Sequence, residues 1–419
     1  MKKKLFIVFF LEALIFLQTG ALAAVTGVPD HRYVPSVAVS FDSEWQPDLS
    51  GAPDTGCKAV FVADPGSGKV FYEKNAHTKM YPASTTKMLT ALVVIENCSL
   101  SETAEVSRNA VDLVPSGYST ANLYAGEVFD IETMLYALLI PSANDAAYVL
   151  AEHVSGSVDA FAELCNKRAK ELGCEDLHFV NPNGIHSENH YCTAYDLYLI
   201  AKECCKHEIF REIVKTKRFS LPATDIHPEN DRIFSNTNAL LLSGTYYYEY
   251  CTGIKTGRTN PAGECLVASA TRNGVNLISV VLGGQSENSK GLNDRFYDTK
   301  RLFEYVYNGY SHKTVARSGD PFLTLEVENA SPDSDSIKLV IGADITAFLP
   351  DSLSRDEIPF SISLKKDITA PIYKGQLLGE ITFYADGTLI KTDLLSDRTA
   401  EAINREYRYL LWNIAFLRQ

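Results

Sequence analysis

The sequence predicts an α+β fold: an antiparallel sheet flanked by helices, then a small all-β region and a terminal amphipathic helix. Three observations carry this. Strand-like runs stand at both ends of a mostly helical middle, so one sheet is assembled from distant parts of the chain. From about residue 316 the pattern changes to short β runs bounded by turn residues. Residues 400–419 then place apolar side chains at helical spacing.

The elements follow in order. Residues 1–23 read as an export signal: Lys2, Lys3 and Lys4 are basic, 5–17 is apolar except for Glu12, and Ala21-Leu22-Ala23 is a small-x-small cleavage site. The apolar run is short for a membrane span of roughly 20 residues, and no cysteine stands at the cut to take a lipid. Residues 24–55, with Pro29, Pro35, Pro47 and Pro53, read as a tether. A hairpin follows, 58–63 and 69–73 around Asp64-Pro65-Gly66-Ser67-Gly68. Residues 83–96 form a helix that is apolar nearly all round and therefore buried. Helical periods recur at 131–139, 144–153, 158–172 and 194–206. Strands are predicted at 253–257, 266–271 and 275–282, the last two joined by Asn273-Gly274 as a type I′ turn. A helix over 293–307 closes a unit spanning 56–315.

The all-β unit, 316–398, has runs at 322–327, 336–341, 360–364, 380–384 and 388–391, with Asp386-Gly387 as a hairpin signal. In 399–419, Ile403, Tyr407, Leu410, Leu411, Ile414 and Leu417 share a face, with Trp412, Phe416, Arg405, Arg408 and Arg418 nearby. That composition suits an interfacial membrane anchor better than a helix packed on the β unit.

Composition narrows the function classes. The 419 residues are 46% hydrophobic and 22% charged, which fits a soluble globular chain. Loss of the leader removes three lysines and one glutamate and takes the net charge from −13 to −15. Without a basic cluster, nucleic acid is excluded as a partner. The nine cysteines are an odd number and read as structural or free thiols. Cys204-Cys205 with His207 lacks the two spaced ligand pairs of a zinc site.

Three short motifs carry chemistry. Ser84-Thr85-Thr86-Lys87 opens the buried helix. Residues three apart share a helical face, so the Lys87 amine can approach the Ser84 hydroxyl. Serine needs a base to become a nucleophile, and burial can lower a lysine pKa enough to supply one. Ser142-Ala143-Asn144 follows Pro141 between two helices. Ser142 can relay a proton and the Asn144 amide can hold a peptide group, although both residue types also favour helix caps. Lys255-Thr256-Gly257 lies in a strand beside a cleft, offering a cation, a hydroxyl and room for close backbone approach. Each motif alone has a bland reading: a solvated helix face, a cap, a strand end. Their order S-x-x-K, S-x-N, K-T-G, each on the element type the chemistry needs, favours the catalytic one.

On these motifs the sequence resembles the low-molecular-mass penicillin-binding D-alanyl-D-alanine carboxypeptidases. The likeness extends to Phe179-Val180-Asn181-Pro182-Asn183-Gly184 with His190-Tyr191, and to Gly253-Ile254 with Ala262-Gly263 and 265–270. The resemblance implies a β-lactamase/transpeptidase-like fold and an extracytoplasmic enzyme acting on peptidoglycan stem peptides, acylated by β-lactams. It implies Ser84 as nucleophile, Lys87 as base, Ser142 in proton transfer and Asn144 on the substrate amide. Lys255 and Thr256, with Gly257, would meet the terminal carboxylate, and the backbone N–H groups of Ser84 and Arg258 the oxyanion. Arg295 would help bind the carboxylate. No metal or other cofactor is implied, and His186-Ser187-Glu188-Asn189-His190 is not an H-E-x-x-H helix. A β-lactamase on the same fold is the alternative, disfavoured by Ser-Ala-Asn where class A enzymes carry Ser-Asp-Asn. A non-catalytic wall-binding protein is disfavoured by the three intact motifs.

Overall fold

The computed structural model describes residues 37–41, 49 and 51–403. The predicted export signal and nearly all of the predicted terminal helix lie outside them. Among the described residues no helix is long and apolar enough to cross a membrane.

A five-stranded antiparallel sheet forms the centre, in the order Val70–Lys74, Ala59–Ala63, Val275–Gly284, Gly263–Arg272, Cys251–Thr259. It joins the ends of the helical segment, as the sequence pattern requires. Both faces are covered. Ala59, Phe61 and Ala63 face a core shared with helices Lys87–Asn97 and Ala194–Cys204, whereas Val60 and Val62 face one closed by helix Asp294–Gly309. Two-sided burial explains why these strands read as continuous apolar runs. The same reason makes residues 87–94 buried without interruption.

The second sheet has six antiparallel strands and its own core around Leu339, Ile381 and Leu394. Thr388–Ser396 pairs with Leu377–Ala385 through Asp386-Gly387, whose φ values of 48° and 74° are those of a type I′ turn. Asn273 and Gly274, at 52° and 80°, do the same in the central sheet.

The tether contains a strand: Val37–Phe41 pairs with Thr388–Ser396, Val37 opposite Thr392. Five residues of extended chain completing another sheet leave no periodic signal of their own. β structure also begins at Tyr310, before residue 316. Tyr310–Ala316 runs directly out of helix Asp294–Gly309 and pairs with Ile345–Pro350. At the junction of the two regions, Phe71, Tyr310 and Phe348 pack edge-on and stacked around Lys69.

Candidate active site

A 3₁₀ turn, Ala83–Thr86, presents Ser84 just ahead of helix Lys87–Asn97. Ala83 sits at φ +49°, a left-handed conformation costly for a residue with a Cβ. Its neighbours hold it there. Thr86 Oγ1 donates to Ala83 O at 2.9 Å and lies 2.8 Å from His190 Nε2. His190 Nδ1 accepts from Val180 N–H at 3.1 Å, which fixes the tautomer so that Nε2 carries the proton and donates to Thr86. Burial pushes the His190 pKa down to about 3, so the ring stays neutral, stacked on Phe179. A Cβ at Gly184 would collide with the Ala83 carbonyl oxygen, so this glycine is a packing requirement.

Lys87 Nζ is fully buried and has three partners: Ser84 Oγ at 3.0 Å, Asn144 Oδ1 at 2.9 Å and Asn183 O at 2.8 Å. Two of these can only accept. A neutral amine donates to both and keeps its lone pair for the Ser84 hydroxyl proton, so all three contacts are satisfied in the uncharged state. Burial, and then the Lys255 charge, hold the Lys87 pKa well below the ordinary lysine value, with Asp145 opposing.

The Ser142-Ala143-Asn144 segment departs from the cap reading. Ala143 occupies the N-cap without a side-chain bond, and Asn144 is the first helical residue. Asn144 Nδ2 donates to Ser119 O at 2.8 Å, so one donor and one acceptor of the amide are engaged within the protein and one of each is left. Asp145, buried beside it, accepts from Ala121 and Leu123 N–H and fixes the 119–123 loop. Ser142 is buried at φ +64°.

Cys251–Thr259 is the edge strand of the central sheet and passes against the 3₁₀ turn. A Cβ at Gly257 would stand 2.9 Å from both Pro82 O and Ser84 N. Only glycine lets the strand come this close, and Arg258 follows at once. Lys255 is buried, with Nζ donating to Thr256 O at 2.9 Å. Burial, helped by Arg295, lowers its pKa to about 7. Thr256 Oγ1 lies 2.6 Å from Thr237 Oγ1, a second hydroxyl that no motif signalled.

Two arginines sit differently from each other. The Arg258 side chain is exposed and pairs with Glu264 at 3.2 Å. Arg295 Nη1 donates to Gly257 O at 3.1 Å and pairs with buried Glu264 at 2.7 Å. That arrangement ties Arg295 to the carbonyl of Gly257 in the third motif. The nine cysteines are free, and the Cys204 thiol donates to Met88 O, away from His207.

Asn144 of the second motif thus bonds the buried Lys87 amine of the first, and Gly257 of the third packs against the turn that carries Ser84. Comparison with known proteins gives this arrangement a context. Residues 47–286 match the family profile described as D-alanyl-D-alanine carboxypeptidase, and 310–402 match that of the penicillin-binding protein 5 C-terminal domain. The chain is 30% identical to D-alanyl-D-alanine carboxypeptidase DacF of Bacillus subtilis over 341 residues, covering 80% of this chain and 82% of the relative. It is also 30% identical to DacC of Escherichia coli over 353 residues, covering 81% and 83%. The crystal structure of penicillin binding protein 5 from Haemophilus influenzae superposes with a TM-score of 0.60 at 26% identity, over 83% of this chain and 98% of the other. The Streptomyces K15 DD-transpeptidase gives 0.57 at 31% identity, over 61% and 99%.

Proposed function

This chain belongs to the D-alanyl-D-alanine carboxypeptidases of peptidase family S11, serine-type hydrolases, and on that footing we propose how its residues carry the reaction. Neutral Lys87 takes the Ser84 proton as Ser84 Oγ attacks the penultimate D-alanine carbonyl of a peptidoglycan stem pentapeptide. The oxyanion forms between the N–H groups of Ser84 and Arg258, where one donor lowers the barrier by about 3 kcal/mol. The proton passes by way of Ser142 to the departing D-alanine nitrogen. Water, deprotonated by the same amine, then releases the shortened peptide. Lys255, with the Thr256 and Thr237 hydroxyls, receives the terminal carboxylate, and the free half of the Asn144 amide receives the substrate peptide group. Gly257 admits the close approach, and Arg295 holds its carbonyl in place. β-Lactams acylate Ser84 by the same attack. The reaction runs outside the cytoplasm after removal of residues 1–23, with 399–419 as the membrane-surface anchor.

The observation that supports this most is Lys87 Nζ, uncompensated and 3.0 Å from Ser84 Oγ. Mass spectrometry of penicillin-treated protein tests it: a long-lived adduct on the Ser84 peptide is expected, and Ser84→Ala should lose both labelling and D-alanine release. Labelling of the alanine variant at full stoichiometry refutes the scheme, and rapid penicillin turnover would favour lactamase chemistry.

A further inference from the structure

Away from the cleft, Cys98, Glu102 and His153 bring one ligand atom each within 4.8 Å of one another. They come from three places: Cys98 caps the C-terminus of helix Lys87–Asn97, Glu102 lies in the following loop, and His153 is in the last turn of helix Asn144–Ser155. We propose that they form a zinc-class divalent metal site that clamps these helix ends together.

The geometry and donor set both point this way. An ion centred in a triangle of that size lies at most about 2.8 Å from each corner, and small rotations of the half-exposed Glu102 close the gap to the roughly 2.0–2.3 Å of zinc–nitrogen, –oxygen and –sulfur bonds. Glu102 is already aimed: its Oε1 accepts from Ser99 N–H at 2.7 Å and its Oε2 lies 3.3 Å from His153 Nε2. One thiolate, one imidazole and one carboxylate select a borderline-soft ion over magnesium or calcium, and leave a fourth position for water. On binding, the Cys98 S–H bond gives way to a metal–sulfur bond and one proton leaves to solvent.

A neighbouring trio shows what disqualifies such a group. Glu96, Glu203 and His207 also converge, but Arg168 bonds Glu96 at 2.8 and 2.7 Å and lies 3.5 Å from Glu203, so the cation is built in. Among the described residues, Glu102 has no such lysine or arginine; the side chain beside its Oε2 is the His153 ring, 3.3 Å away.

The position has a consequence. The two helices start at Lys87 and Asn144, which hydrogen-bond each other at 2.9 Å. A metal at their far ends would fix the pair at both ends.

Cobalt(II) titration of the full chain under a non-chelating reductant tests this. A thiolate-to-cobalt charge-transfer band saturating at one equivalent is expected, displaced by zinc and accompanied by release of one proton. Zinc should raise the unfolding midpoint by roughly 5 °C at a hundredfold excess over its dissociation constant. Cys98→Ser and His153→Ala should each abolish both effects while still binding penicillin. Cys205→Ser, next to the disqualified trio, should change neither. Absence of the band in the wild-type chain, or its survival in Cys98→Ser, overturns the proposal.

Discussion

In the cleft, the Lys87 amine is wholly buried and meets only uncharged oxygens; at the junction between the two regions, Lys69 is almost as buried but lies 2.8 Å from Asp386 Oδ2. Burial lowers both pKa values. At Lys69 the Asp386 charge works against that fall, and Phe348 O, 2.8 Å away, takes a further hydrogen. At Lys87 no carboxylate stands within ion-pair distance among the described residues, and the Lys255 charge deepens the fall. The difference between a structural tie and the proposed general base thus lies in the missing counter-charge, since burial is common to both.

The comparison can be broken most directly at Lys87. Arginine there stays protonated, so Lys87→Arg should slow penicillin acylation about 10³-fold in stopped-flow labelling. Near-wild-type acylation would erase the distinction between the two lysines. Gly257→Ala pushes a methyl against Ser84 N and Pro82 O and should cost about 10²-fold through displacement of the nucleophile, with the fold intact by circular dichroism.

The third buried amine, Lys255, sharpens the contrast through pH. It is cationic below its folded pKa of about 7, so carboxylate capture should be lost as pH rises. In the free enzyme, kcat/KM should decline above about pH 7 by up to tenfold per unit, whereas kcat stays flatter because a bound carboxylate keeps the proton on. Lys87 acts in the opposite sense, since its neutral form rises with pH and gives the ascending limb. A kcat/KM that climbs through pH 9 would remove Lys255 from substrate binding. Lys69→Met should have the smallest effect on acylation, none, yet cost about 3 kcal/mol in denaturant unfolding because Asp386 is left buried without a partner. Adding Asp386→Asn should recover part of that loss.

How far the sequence reveals this design depends on which atoms do the work. Ser84, Lys87, Lys255 and Gly257 are legible because their side chains, or the want of one, carry the proposed chemistry and their spacing is local. The type I′ turns at Asn273-Gly274 and Asp386-Gly387 are legible for the same reason. Asn183 and Ser119 are not, because they act through backbone carbonyls, which carry no residue identity. Thr237 escapes notice because it reaches Thr256 from a loop with no periodic signal. The left-handed Ala83 and Ser142 are invisible in principle, since neither residue type advertises that conformation; the surrounding fold imposes it. The sequence says of His190 only that it belongs to no H-E-x-x-H helix; the hydrogen-bond chain through Thr86 to Ala83 shows what it supports, the turn that carries Ser84. Strand pairing at 37–41 and 345–350 stays hidden because its partners are remote in sequence.

The pairing of Val37–Phe41 bears on any shortened form of this protein. A chain beginning after residue 50 keeps every motif, yet it strips one side from Thr388–Thr392 and leaves a row of backbone donors and acceptors facing water. Such an open flank recruits whatever extended peptide is nearest, including a second molecule, so trimming the front of the chain alters the self-association of its back half.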